Sequence, residues 1–246
     1  MLARRILILG GTKEAASIAE QLVERAGFDV TTSLAGRTRE PRPPAGGLRI
    51  GGFGGVDGLT DFLRRERFDL LIDATHPFAE RISANAAAAC AATGLPLLVL
   101  ARPRWKQVAG DDWLIVPSLE TAASAIPAGA RVLLALGSQH LGAFSSRGDV
   151  RFIVRMVDPP ETPPALPDHE IVLGRPSAAA EEEAELLERF AVTHIVCRNS
   201  GGTGAYAKIE AARRLRLPVI MIDRPAPKAD VGHSYSSVEA LLAAIP

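Results

Sequence analysis

Cysteine is scarce in this sequence. Cys90 and Cys197 are the only two among 246 residues, and neither has the paired spacing of a metal or redox site. With no secretory leader ahead of them, they read as buried thiols in a reducing compartment. Surplus charge is missing too: Lys plus Arg is 28 and Asp plus Glu is 28, so a general nucleic-acid binder, which needs a basic excess, is excluded. An anionic ligand must then be met by local basic clusters. Long apolar runs are also lacking. The amino-terminal MLARRILILGG enters glycines too early for a leader. The uncharged window 82–101 has eight alanines in twenty residues, carries Ser83 and Asn85, and is interrupted by Gly94 and Pro96. It reads as a buried helix, a turn and a strand rather than a membrane span. The expectation is a cytoplasmic protein with no membrane, nucleic-acid or metal partner.

What is present is alternation. RILILG, FDVTTSLA, LRIGG, FDLLIDA and LPLLVLA read as strands, with helical spacing through Ala15, Ile18, Ala19, Leu22 and Val23 ending at Gly27, and helices near 56–65 and over 77–93. WLIV and a helix in SLETAASAI follow. RVLLALG, RFIVRMV, THIVCR and PVIMID then alternate with further helices. Near-continuous apolar strands alternating with helices indicate α/β architecture with parallel sheets covered on both faces. The halves echo each other: LPLLVLARP matches LPVIMIDRP, and each follows a strand ending in polar residues, DATHP or RNSGG. Two similar doubly wound units are expected, 1–127 and 128–246. The proline-rich 158–168 is a surface connection or a flap, and the acids 181–185 are expected to form a solvated helix face.

The glycines point to a cofactor. Gly10-Gly11 end the first strand just before a helix, where backbone N–H groups attract phosphate, and Thr12 can cap that helix or donate to phosphate. Neither G-x-G-x-x-G nor Gly-Lys-Ser/Thr is present. A second glycine loop, 51–55, should lie on the same sheet edge as Gly10-Gly11 and DATHP. After strand two, Gly36, Arg37, Thr38 and Arg39 stand where an NAD enzyme places an acid. Guanidinium groups suit a 2′-phosphate, so NADP is favoured over NAD. In DATHP, Pro77 fits the first helical turn, Thr75 or His76 would cap the helix, and Asp73 can accept from nearby N–H groups.

GGTKEA, AGRT, GGFGG, DATHPFA, RPRW and NSGGTGAYAKIEAA together resemble the precorrin-6A reductase family of corrin biosynthesis, across essentially the whole chain. The resemblance implies two Rossmann-like domains with mainly parallel sheets, the active site in the cleft between them, and NADPH-dependent reduction of precorrin-6A to precorrin-6B. It assigns the cofactor to the first domain: Gly10, Gly11, Thr12, Lys13 and Glu14; Gly36 to Arg39; Gly52, Phe53, Gly54 and Gly55; Asp73, Ala74, Thr75, His76 and Pro77. A polycarboxylate tetrapyrrole suits Arg102, Arg104, Trp105, Ser138, Arg155, Arg198, Asn199, Ser200, Gly201, Gly202, Tyr206 and Lys208. Trp105 and Tyr206 could lie against the macrocycle. His76, Tyr206 and Lys208 are the candidate proton donors. The chain departs from many relatives at 174–178, GRPSA in place of Gly-Pro-Phe, and at Arg198-Asn199 in place of Lys-Asp. The alternatives are another NADP-dependent reductase of an anionic substrate, or an NADP-sensing module without turnover.

Overall fold

The computed structural model describes residues 3–36, 43–224 and 233–245. It contains two six-stranded parallel sheets. The first unit begins with β1 (Arg4–Leu9), α1 (Lys13–Val23), β2 (Phe28–Leu34), β3 (Gly47–Ile50), α2 (Gly55–Glu66), β4 (Leu70–Asp73), α3 (Glu80–Thr93) and β5 (Leu97–Leu100). Next come β6 (Trp113–Val116), α4 (Leu119–Ala125), β7 (Arg131–Ala135), a 3₁₀ helix (Ser138–Phe144), β8 (Arg151–Met156), β9 (His169–Leu173), α5 (Ala180–Arg189), β10 (His194–Arg198), α6 (Ala207–Leu215) and β11 (Val219–Ile222). The chain closes with β12 (His233–Tyr235) and α7 (Val238–Ala243).

The strand orders are β12-β5-β4-β1-β2-β3 and β6-β11-β10-β7-β8-β9. Position by position, β7 to β11 repeat β1 to β5. The sixth strand of each sheet is exchanged. β6 follows β5 in the chain but pairs with β11, and β12 follows β11 but pairs with β5. The compact units are therefore 1–103 with 226–246, and 104–225, which corrects the expected division at 127/128. Strand pairing decided this, and WLIV carries no mark of which sheet it joins. The short strands β9 and β12 were not expected either. HEIVL sits directly after the proline-rich loop, and HSY has only three residues.

The first sheet shows why continuous apolar strands were legible. Ile6 and Ile8 of β1 face one core with Ile18 and Leu22 of α1 and Leu241 and Leu242 of α7, while Leu7 and Leu9 face the other with Leu59, Leu63 and Ala86. All four residues of β4 are buried. Each such leucine or isoleucine contributes about 1.5–3 kcal/mol over its exposed state. Both cysteines are buried and free. Burial pushes the Cys90 thiol up to about 11, which makes it inert as a nucleophile.

Two expectations are corrected by local geometry. The helix after β4 starts at Glu80, with Ala79 at its cap and no side-chain capping bond. Pro77 lies in the preceding turn, closed by the Ala79 N–H donating to His76 O at 2.7 Å. Thr75 and His76 therefore do not cap α3. The acidic run is not wholly solvated: Glu183 is buried and ion-paired with Arg155.

Candidate functional site

In the first sheet the order of strand addition reverses between β1 and β4, the usual place for a ligand crevice at the carboxyl edge. The ends of β1, β2, β3 and β4 share that edge. A Cβ at Gly10 would stand 2.8 Å from the Thr32 methyl, so that position must be glycine for packing. Gly52 differs: its φ is unexceptional and a Cβ there would meet no atom within 4 Å. Nothing in the fold requires glycine at 52. Open space beside bare backbone is what close approach of a ligand needs. Gly11 also faces open space, with a left-handed φ of 102°. These residues fit a dinucleotide.

Thr12 does two jobs at this edge. Its Oγ1 accepts from Ala15 N at 3.1 Å, capping α1, and donates to Ala74 O at 2.8 Å. The cap is thus formed, and the hydroxyl proton goes to Ala74 O in this structure. The same bond ties the β1 loop to the β4 loop. Asp73, buried at the end of β4, accepts from Thr75 N at 3.0 Å and Thr75 Oγ1 at 2.7 Å through Oδ1. DATHP is therefore a self-braced turn rather than a helix cap. His76 is half-buried, and its Nδ1 accepts from Phe78 N at 3.3 Å. That assigns the proton of the neutral ring to Nε2. Lys13 and Gly36 are exposed. Arg37, Thr38 and Arg39 lie outside the described residues.

The structure joins two residues expected to serve different ligands. Arg102 Nη1, beyond β5, donates to Glu14 Oε2 at 2.7 Å, and both side chains are largely enclosed. Sequence reading missed Arg49. Its guanidinium donates to Ser33 Oγ, Gly51 O and Gly52 O, and lies 3.8 Å from the Phe53 ring centroid. An arginine one residue before the end of β3 was the available signal.

The second sheet has its own reversal, between β7 and β10. Ser138 is exposed at the start of the 3₁₀ helix there. Arg198 Nη1 stands 3.0 Å from His140 Nε2. A guanidinium can only donate, so this ring carries its proton on Nδ1. Ser200 leads into Gly201 and Gly202, whose left-handed φ values of 61° and 67° curve the backbone after β10. Asn199 is buried and grips the backbone of Trp105: its Oδ1 accepts from Trp105 N at 2.8 Å and its Nδ2 donates to Trp105 O at 3.1 Å. Trp105 in turn donates from Nε1 to Gly202 O at 2.7 Å.

Several substrate candidates are committed to the protein itself. Trp105 belongs to the core of this unit, its ring 5.6 Å from that of Tyr206, which corrects the expectation of a face offered to a macrocycle. The Tyr206 hydroxyl accepts from Arg213 Nη2 at 2.9 Å. Lys208 is buried, donates to Ala205 O at 2.6 Å and lies 4.9 Å from the Trp105 ring. Burial lowers its pKa, partly offset by Cys197 and Glu183. Arg155 Nη1 contacts both Glu183 oxygens at 2.8 Å. Arg104, half-exposed, contacts both Asp223 oxygens at 2.6 Å. No group of three or more potential metal ligands occurs among the described residues, and no helix there is long and apolar enough to cross a membrane.

Comparison with known proteins matches this arrangement over its whole length. The family model described as precorrin-6x reductase CbiJ/CobK matches residues 5–245. A precorrin-6A reductase of Rhodobacter capsulatus is 49% identical over 241 residues, 97% of this chain and 96% of that one. A cobalt-precorrin-6A reductase of Priestia megaterium is 32% identical over 253 residues, covering 98% and 97%. A solved structure titled CobK precorrin-6A reductase superposes with a TM-score of 0.93 at 48% identity, covering 98% of this chain and 95% of that one. The chain belongs to the precorrin-6x reductase CbiJ/CobK family.

Proposed function

We propose that this chain reduces precorrin-6A to precorrin-6B with NADPH, as a step of cobalamin biosynthesis. The observation that carries the reading is likeness to a precorrin-6A reductase along nearly the full length of both chains. The bare backbone at Gly11 and Gly52, on the reversing edge of the first sheet, supports a dinucleotide there. The identity to a relative named precorrin-6A reductase is 49%, against 32% for one named cobalt-precorrin-6A reductase, so precorrin-6A without cobalt is the substrate to assay first.

The cofactor supplies the hydride when bound, and the protein supplies alignment and electrostatics. Gly10 and Gly11 let the β1 loop approach the pyrophosphate. The Thr12–Ala74 bond holds the β4 loop beside it. Asp73 fixes the turn that carries His76. A proton must follow the hydride. Among the three candidates, Lys208 is enclosed, while the Tyr206 oxygen accepts from Arg213 and keeps its own proton to donate. His76, half-buried on the edge assigned to the cofactor, is the donor we favour, acting in its imidazolium form. In the second unit, Ser138, Arg198 and the curved backbone at Gly201 and Gly202 are the residues we assign to substrate carboxylates.

Stoichiometric oxidation of NADPH on adding precorrin-6A, with the reduced macrocycle identified by mass, tests the reading. NADPH binding without oxidation would favour a sensing module, and oxidation only with another anionic substrate would redirect the specificity. Arg37 is assigned to the 2′-phosphate on sequence grounds. Arg37→Ala should weaken NADPH by about ten- to a hundredfold, the value of roughly 1.5–3 kcal/mol for a charged hydrogen bond, and leave NADH nearly unaffected. Equal loss for both nucleotides would remove the assignment.

A further inference from the structure

The loop after β3 is held from two sides. On one side is the Arg49 guanidinium, which donates to Gly51 O at 2.6 Å, Gly52 O at 2.8 Å and Ser33 Oγ at 3.2 Å. It also lies 3.8 Å from the Phe53 ring centroid and 5.0 Å from that of Phe62. On the other side is Gly58, inside α2. A Cβ there would collide with the Phe53 carbonyl oxygen, so the loop rests directly on bare helix backbone. Glycine within a helix costs about 1 kcal/mol relative to alanine. That cost is tolerated here because the loop occupies the space of the missing methyl.

The anchoring has a directional consequence. In a planar trans peptide the carbonyl and the following N–H point opposite ways. Turning the carbonyls of Gly51 and Gly52 onto Arg49 turns the N–H groups of Gly52 and Phe53 away from it. Gly52 is also the position where open space lies beside the backbone.

We propose that Arg49 is a positioning residue that orients the amide donors of Gly52 and Phe53 toward acceptor atoms of the adenosine end of the nicotinamide cofactor, with Gly58 as the floor against which the loop is set. This rests on the reading of the first sheet's edge as the cofactor site. Arg49 touches the protein's own carbonyls and hydroxyl rather than the reacting atoms. Its effect is therefore on cofactor binding and is indifferent to the 2′-phosphate.

The test uses the full chain and two probes, NADPH and NADH, titrated by nicotinamide fluorescence, with melting temperature and steady-state kinetics alongside. Arg49→Met keeps a flexible apolar stem against Phe53 and removes the donors. It should raise the dissociation constant of both nucleotides by the same factor, about tenfold, with the kinetic loss in cofactor KM rather than kcat. Arg49→Lys should regain part of the affinity. Gly58→Ala is the second variant: its methyl displaces the loop, so it should weaken both nucleotides by the same factor, with melting temperature measured to confirm that the protein is folded at the titration temperature. Loss confined to NADPH would mean that Arg49 contacts the 2′-phosphate directly and would overturn the positioning role. Affinities within twofold of the parent in both Arg49→Met and Gly58→Ala would also overturn it while leaving the cofactor site intact. A parent protein that binds neither nucleotide would remove the inference together with the reading beneath it.

Discussion

Removing Arg155 separates two accounts of that residue. As a substrate arginine it would face open space. In the structure its guanidinium is almost fully enclosed, with Nη1 at 2.8 Å from both oxygens of Glu183. The Glu183 side chain is only 2% exposed, and its other donor is the Ser177 N–H, also at 2.8 Å. Arg155→Ala leaves a buried carboxylate with one backbone hydrogen bond. Breaking one side of a buried ion pair costs about 3–5 kcal/mol. For a chain of this size each kcal/mol moves the melting temperature by roughly 2–4 °C, so the variant should melt about 6–20 °C below the parent. Replacing both partners, Arg155→Met with Glu183→Leu, removes the uncompensated charge. The remaining losses are the Ser177 N–H, about 1–3 kcal/mol, and the support Glu183 gives the buried Lys208 charge, and the double variant should still melt above Arg155→Ala. Thermal unfolding by circular dichroism measures both. An Arg155→Ala protein within about 1 kcal/mol of the parent, the range of an exposed pair, with a raised KM for the macrocycle, would refute the structural account and restore the substrate role.

Other outcomes follow from the same geometry. Burial depresses the Lys208 pKa, so the unfolded chain binds that proton more readily and folding carries a penalty below the unfolded pKa, neutral pH included. Lys208→Met should therefore raise the melting temperature at pH 7, with the gain shrinking as pH climbs toward the unfolded value of about 10.4; a gain independent of pH would discount the charge. His76→Ala should keep the parent's melting temperature, because α3 draws no side-chain cap from it, and should lose turnover; early melting with normal turnover of the folded fraction would make the imidazole structural. Fragment 1–127 omits β12 and α7, whose Leu241 and Leu242 are buried in the first core, and it retains β6 without its partner β11. It should fail to fold cooperatively, whereas 1–103 joined by a flexible linker to 226–246 should fold and bind NADPH. Calorimetry and nucleotide titration of the two fragments compare them directly.

Chain-local physics was readable from residues alone. Apolar runs such as RILIL read as strands covered on both faces, alternation with helices made the sheets parallel and doubly wound, and the repeated LPLLVLARP and LPVIMIDRP do occupy equivalent strands, β5 and β11. Gly10-Gly11, 51–55 and DATHP were placed on one edge because strand ends in a parallel sheet share a side. Partner choice was not readable. WLIV gives no sign that it pairs with β11, nor HSY that it pairs with β5, because backbone hydrogen bonding is indifferent to which apolar strand supplies it. The same limit applied to charges. Arg102, Arg104 and Arg155 resembled a carboxylate-binding set in one dimension, yet in three each meets Glu14, Asp223 or Glu183, acids 88, 119 and 28 positions away. A sequence specifies which side chains need a counter-charge. Only the packed structure decides whether the protein itself provides it.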